Sequence, residues 1–218
     1  MTISEESLEN FIHIYENDNN SRYKSYDYCR EAFIKYRKNS EMYDYIALNL
    51  FAYLASWGML RNSFLLQKDY RFLVPLVEIL CNEEYDCLLN KYLFKKQTDE
   101  YIEKVLDITK RVSDYFKCKN YYIDGSNEIK VVKNVTDTLI SKILLGTFGC
   151  IPAYDENVKK SFKKFNICQT LNKNSLYSLT EFAKEHIDAI NNLCSKLSDI
   201  YTPMKVLDIF FYEQGIKP

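Results

Sequence analysis

Along most of this chain apolar residues recur three and four positions apart, the period of an amphipathic α-helix. Tyr101, Val105, Ile108, Val112 and Tyr115 fall at i, i+4, i+7, i+11 and i+14, which predicts a long helix capped by Thr98. Leu8, Phe11, Ile12 and Tyr15 predict one from Ser4 to about Tyr15, and a polar loop at 17–21 precedes another at 26–37. Ile46–Leu60 is different, because only Asn49, Ser56 and Gly58 interrupt its apolar run. A segment apolar all round predicts a helix packed on every side, here within Glu41–Leu60, with Gly58 in its last turn and Asn62-Ser63 breaking it.

Pro75 starts a helix near Leu73 or kinks it, and Glu83–Phe94 is a further short helix. Tyr121–Ile123 and Ile129–Val132 flank the turn-forming run Asp124-Gly125-Ser126-Asn127, which predicts a small hairpin or an irregular loop. Helices follow at Val135–Phe148 and Tyr154–Phe165, then a polar loop-like stretch from 166 to 178. Ser178 and Glu181 form a capping box ahead of a stripe of Phe182, His186 or Ile187, Ile190, Leu193, Leu197 and Tyr201. Thr202-Pro203 starts the last helix and Gly215 stops it. The pattern describes a mainly α, compact single domain over residues 1–218, a bundle of about nine or ten helices with one hairpin near 121–132.

Composition supports helices: Gly 5 and Pro 4 are too few for an all-β fold with its many tight turns. Aromatic residues are abundant, with 19 Tyr and 13 Phe against 1 Trp. The net charge of −1 means that any field attracting phosphate comes from a local patch. Seven scattered cysteines without a CxxC pair, and a polar acidic start without a signal peptide, point to a reducing cytoplasm. The apolar run 46–60 is shorter than the roughly 18–20 residues that a membrane span needs.

Three groups of residues could carry chemistry. Trp57, Arg61 and Gln67 could line a pocket in which the indole stacks a planar ligand and the guanidinium grips an anion; alternatively Trp57 is core and Arg61 caps a helix C-terminus. Lys142–Asp155 concentrates two glycines and a proline, so its backbone turns tightly or approaches something closely. Asp155 within it is either a helix N-cap or a carboxylate presented at a cleft, with Tyr154 beside it. Lys159, Lys160, Lys163 and Lys164, with Lys142 and Lys173, form either a cationic strip for a phosphate backbone or a solvated face without acidic partners. His13 and His186 lie on separate helices, His186 near an apolar face reads as a core or interface residue, and Cys150 is the least inert-looking thiol. No residue spacing suggests a metal site, and no cofactor signature is present.

Residues 54–59 (LASWGM), 63–67 (SFLLQ), 142–146 (KILLG), 151–155 (IPAYD) and 205–211 (KVLDIFF) resemble phrases of an uncharacterised bacterial all-helical family; that resemblance spans most of the chain and implies no function. Ile151–Val158 followed by Lys159-Lys160 is also similar to the Pro-x-Asp segment of helix-hairpin-helix DNA glycosylases, all-α proteins of similar length. That resemblance implies that Asp155 stabilises a cationic sugar while the base leaves, with Trp57 and Tyr154 stacking a flipped base. The chain departs from that family in lacking its Leu-Pro-Gly-Val-Gly hairpin and its iron–sulfur cysteines, and Lys142 lies nearer to Asp155 than the family's lyase lysine would.

These readings converge on a cytoplasmic helical binding protein whose partner is a nucleic acid or a nucleic-acid-associated protein. The alternatives are a glycosylase-like enzyme using Asp155, and an interaction protein, homo-oligomeric or regulatory, with an aromatic-rich surface. None of the three involves a membrane.

Overall fold

The computed structural model describes residues 3–61, 63–123, 125 and 127–217. Among them are eleven α-helices: α1 (Glu9–Asn17), α2 (Lys24–Tyr36), α3 (Tyr43–Ser56), α4 (Val74–Leu80), α5 (Leu93–Lys96), α6 (Thr98–Phe116), α7 (Asp137–Thr147), α8 (Glu156–Lys164), α9 (Lys173–Glu185), α10 (Ile187–Lys196) and α11 (Pro203–Ile216). Strands β1 (Asn120–Tyr122) and β2 (Ile129–Val131) form the expected hairpin, antiparallel, with Tyr121 opposite Lys130 and Tyr122 opposite Ile129. Asn62, expected to break the α3 helix, and Asp124 and Ser126 of the expected hairpin turn lie outside the described residues. No described helix is long and apolar enough to cross a membrane.

Helix α11 is packed on all sides, as is α7 from Leu139 to Thr147, whereas α3 is not. From Pro203 to Phe211 every α11 residue is buried, and so are Glu213, Gln214 and Gly215. Helix α8 lies along it, with α10 and the 3-10 turn Glu5–Leu8 also packed against it. Helix α7 packs on α2, α3 and α6, and buried apolar side chains from α1 through α11 belong to one hydrophobic cluster. Helix α3 buries Ile46, Ala47, Leu50, Tyr53 and Leu54, whereas Tyr45, Leu48, Ala52 and Ala55 face solvent along one stripe. Apolarity all round therefore overestimated its burial; apolar residues are common on protein surfaces, so their presence does not force a position inside.

Local signals explain most boundaries. Gly58 takes φ +73 just past α3, and the Met59 amide reaches back to the Leu54 carbonyl at 2.9 Å, a left-handed C-terminal cap that favours glycine. Pro75 sits in the first turn of α4. The Thr202 side chain caps α11 ahead of Pro203, as its sequence predicts. Four expectations fail. Glu83–Leu89 is a 3-10 turn, with only the short α5 after it. Thr98 lies inside α6 with Gln97 at the cap position, and its hydroxyl bonds the Phe94 carbonyl at 2.8 Å. The helix expected after Ser178 begins earlier, because Asn172 and Ser175 form the capping box and Ser178 donates to the Asn174 carbonyl from within α9. Gly215 does not end α11, which continues to Ile216. A Cβ there would stand 1.9 Å from the Asn157 carbonyl oxygen, so glycine is required for the close approach of α8.

The tyrosines act as long-range staples. Tyr15 and Tyr201 both donate to Asp27, at 2.7 and 3.1 Å, and Tyr92 donates to Asn191 at 2.9 Å. Each phenol ties its own segment to a helix, Tyr15 and Tyr201 to α2 and Tyr92 to α10. Burial pushes the Asp27 carboxyl above its ordinary range, despite the two phenol donors that pull it down.

Two predictions follow from burial and charge. Leu48→Gln should change unfolding free energy by no more than about 0.5 kcal/mol, whereas Leu207→Ala should cost about 2–5 kcal/mol, both read from urea denaturation. Asp27, with its raised folded value, is protonated more readily when folded, so its ionisation destabilises the fold as pH rises through the carboxylate range. The melting temperature of Asp27→Asn minus that of the wild type should therefore increase from pH 3.5 to 6 and then level off; a flat or falling difference contradicts this.

Candidate functional site

Trp57, the residue that closes α3, is the centre of a charged cluster. The Lys142 ammonium of α7 lies 4.7 Å from an indole ring centroid, and that of Lys205 on α11 lies 5.9 Å away. Lys142 pairs with Asp155 at 3.0 Å and Lys205 with Asp208 at 2.8 Å. Tyr23 and Tyr212 pack on the same indole, and the exposed Arg22 guanidinium stacks 4.7 Å from it while donating to the Tyr212 hydroxyl at 3.0 Å. The side chains of Lys142 and Lys205 are each 4% exposed. The free space between these groups is about 10 Å³, on the scale of one small solvent site.

The cluster is tied to the connection between α7 and α8. Residues 148–154 are all buried and irregular, so their backbone groups need partners from side chains. Arg30 donates to the Thr147 carbonyl, Thr202 to the Gly149 carbonyl at 2.6 Å and Tyr101 to the Cys150 carbonyl at 2.5 Å. The Ala153 amide donates to Asp208 Oδ1 at 2.8 Å and the Tyr154 amide to Ser141 Oγ at 2.7 Å. Thr138 donates to the Tyr154 carbonyl at 2.7 Å. Asp155 Oδ1 then accepts the Val158 amide at 3.1 Å, capping α8, while Oδ2 accepts Lys142. Each aspartate therefore divides its oxygens between a backbone amide and an ammonium group.

This geometry brings together some of the expected residues and separates others. Trp57 and Asp155 line the same closed space. Tyr154 is fully buried, with its hydroxyl 2.9 Å from Ser175 Oγ and its ring against Phe162, so it offers no free face for stacking. Lys142 is inside the protein and off the α8 surface. Lys160 pairs with Glu156 at 2.9 Å, one turn back, which corrects the expectation of a strip lacking acidic partners. Lys164 donates to the Gln214 and Lys217 carbonyls at 2.9 and 3.2 Å, closing the end of α11. Lys159 and Lys163 remain on the outer face of α8. Cys150 is buried, which pushes its thiol up to about 12 and removes thiolate character. His186 stacks on Phe182 at 4.3 Å, as a packing residue does, and His13 is exposed on α1. Among the described residues no group of His, Cys, Asp and Glu could hold a metal.

Arg61 and Gln67 lie elsewhere. Arg61 lines an open groove of about 750 Å³ between the chain that follows α3 and the hairpin, with Met59, Phe64, Tyr121, Lys130 and Lys133. Gln67 lines an adjoining recess of about 320 Å³ with Phe64, Tyr122 and Lys130. Sequence reasoning missed Tyr121, Lys130 and Lys133. Strand alternation was the available signal, since Lys130 stands between Ile129 and Val131 and so points to the opposite face, alongside Tyr121.

No family model, no curated protein and no solved structure matches this chain.

The ion pairs generate a stability prediction. Removing one partner of a buried pair leaves an uncompensated charge, so Lys142→Met should cost about 3 kcal/mol. Adding Asp155→Asn should recover about 1 kcal/mol or more, a coupling that a double-mutant cycle in urea measures directly. Additive losses would mean that the pair is not coupled.

Proposed function

We propose that the protein acts by binding, and that its ligand is a single-stranded nucleic acid lying in the groove between the chain after α3 and the hairpin. The observation that carries this reading is the groove's lining. Arg61, Lys130 and Lys133 are exposed around the rings of Phe64 and Tyr121, and Glu128 is the only acidic side chain among the described lining residues. Cationic side chains that track a phosphate backbone, beside aromatic rings on which bases stack, are the two components of sequence-tolerant single-strand binding. A volume of about 750 Å³ falls within the ordinary range of ligand sites.

The glycosylase-like alternative has less support. Both oxygens of Asp155 are engaged, and a space of about 10 Å³ has no room for a base. An interaction role has one observation in its favour: Tyr122, Ile129 and Val131 of the hairpin are 61%, 52% and 47% exposed, Tyr122 and Val131 at the borders of the recess and the groove.

Fluorescence anisotropy with a labelled single-stranded oligonucleotide tests the proposal. Arg61→Glu/Lys130→Glu/Lys133→Glu should weaken binding more than about tenfold and make the slope of log K against log salt shallower by about 2, at roughly 0.7 per phosphate contact. Lys159→Glu/Lys163→Glu should leave affinity within about twofold. Absent binding, or equal loss in both variants, sinks the groove assignment.

A further inference from the structure

A second open groove, of about 810 Å³, runs between α1 and α10. Leu8, Ile12, Leu193 and Leu197 form its floor, with Leu8 and Leu193 buried and the other two half-buried. One wall is the outer face of α1 and the turn before it, where Glu5, Glu6, Glu9, His13 and Glu16 are exposed. The opposite wall contributes Lys196, whose ammonium pairs with Glu5 across the groove. That bridge closes one end and neutralises one acid, while Glu6, Glu9 and Glu16 continue along the wall over roughly 15 Å of helix. None of these residues belongs to the nucleic-acid groove, and the acidic wall would repel a phosphate backbone.

We propose that this groove docks a basic amphipathic helix of a partner protein. Charge complementarity selects the sign: three glutamates on one rim call for lysine or arginine along one flank of the occupant. The apolar floor calls for an apolar stripe at i, i+3, i+4 and i+7. The walls select the secondary structure. Both are helices presenting side chains, without a sheet edge to pair with an extended segment, so the occupant must satisfy its own backbone hydrogen bonds. A helix between α1 and α10 does that and adds a third helix to the pair.

The probe is a synthetic helix-forming peptide with leucine at those positions and lysine on one flank, compared with the same peptide carrying glutamate instead of lysine. Isothermal titration with the full chain should give at least about tenfold tighter binding of the lysine peptide. Glu6→Lys/Glu9→Lys/Glu16→Lys, checked for an unchanged circular dichroism spectrum, should reverse the preference. Ile12→Asp should weaken both peptides, and Glu100→Lys/Glu103→Lys on exposed α6 positions should leave binding within about twofold. Equal binding of the two peptides, unchanged binding by the triple variant, or a comparable loss in the α6 variant overturns the proposal.

Discussion

Asp208 is the group on which the rest of this fold depends. It stands on the buried helix α11, takes the Lys205 ammonium on one oxygen and the Ala153 amide on the other. The first contact neutralises a charge that the interior would otherwise exclude. The second attaches α11 to the α7–α8 connection, which has no secondary structure of its own. A buried carboxylate is tolerated only when paired and hydrogen-bonded, and this one is both. Asp155 repeats the arrangement with Lys142 and the first turn of α8, and Trp57 fills the space between the two pairs. Arg30, Tyr101, Thr138, Ser141 and Thr202 also hold the connection through side-chain hydrogen bonds. Buried ion pairs contribute little net stability compared with apolar packing, so their consequence here is specificity: one register of α11 against α7 and α8 brings both ion pairs and the Ala153 amide to their partners.

This assigns different work to the interior and to the surface. The cluster around Trp57 leaves only about 10 Å³ free, and its two lysines are paired within it. The charged side chains lining the open groove beside the hairpin are mainly cationic, and those lining the one beside α1 are mainly acidic. Buried charge organises the fold, and surface charge selects partners.

Much of the architecture was legible in the sequence. Helix periodicity identified α6, Thr202-Pro203 identified the start of α11, and the turn-flanked aromatic runs identified the hairpin. The N-cap reading of Asp155 is what the structure shows, because a short side chain before a helical run has a local reason to bond the amide three residues on. The failures have physical causes. Lys205, Asp208, Glu213 and Gln214 make α11 look half polar in sequence, whereas each finds its place through contacts far along the chain. Residues 45–55 look apolar apart from Asn49, yet nothing local specifies which neighbours cover them. Trp57 and Asp155, far apart in sequence, line one small space, but Arg61 and Gln67 turn away at Gly58, whose left-handed conformation redirects the chain. The Asn172–Ser175 capping box lies in a stretch polar enough to resemble a loop, and polarity obscured a helix start that depends on reciprocal side-chain bonds.

Side chains lock the buried α7–α8 connection to α11, and native-state hydrogen exchange at the Ala153 and Tyr154 amides reads that lock. Both amides should exchange only through global unfolding, with the same opening free energy as the Phe210 amide in α11, and Asp208→Ala should lower all three together. Fast exchange at Ala153 and Tyr154 while Phe210 stays protected would contradict it.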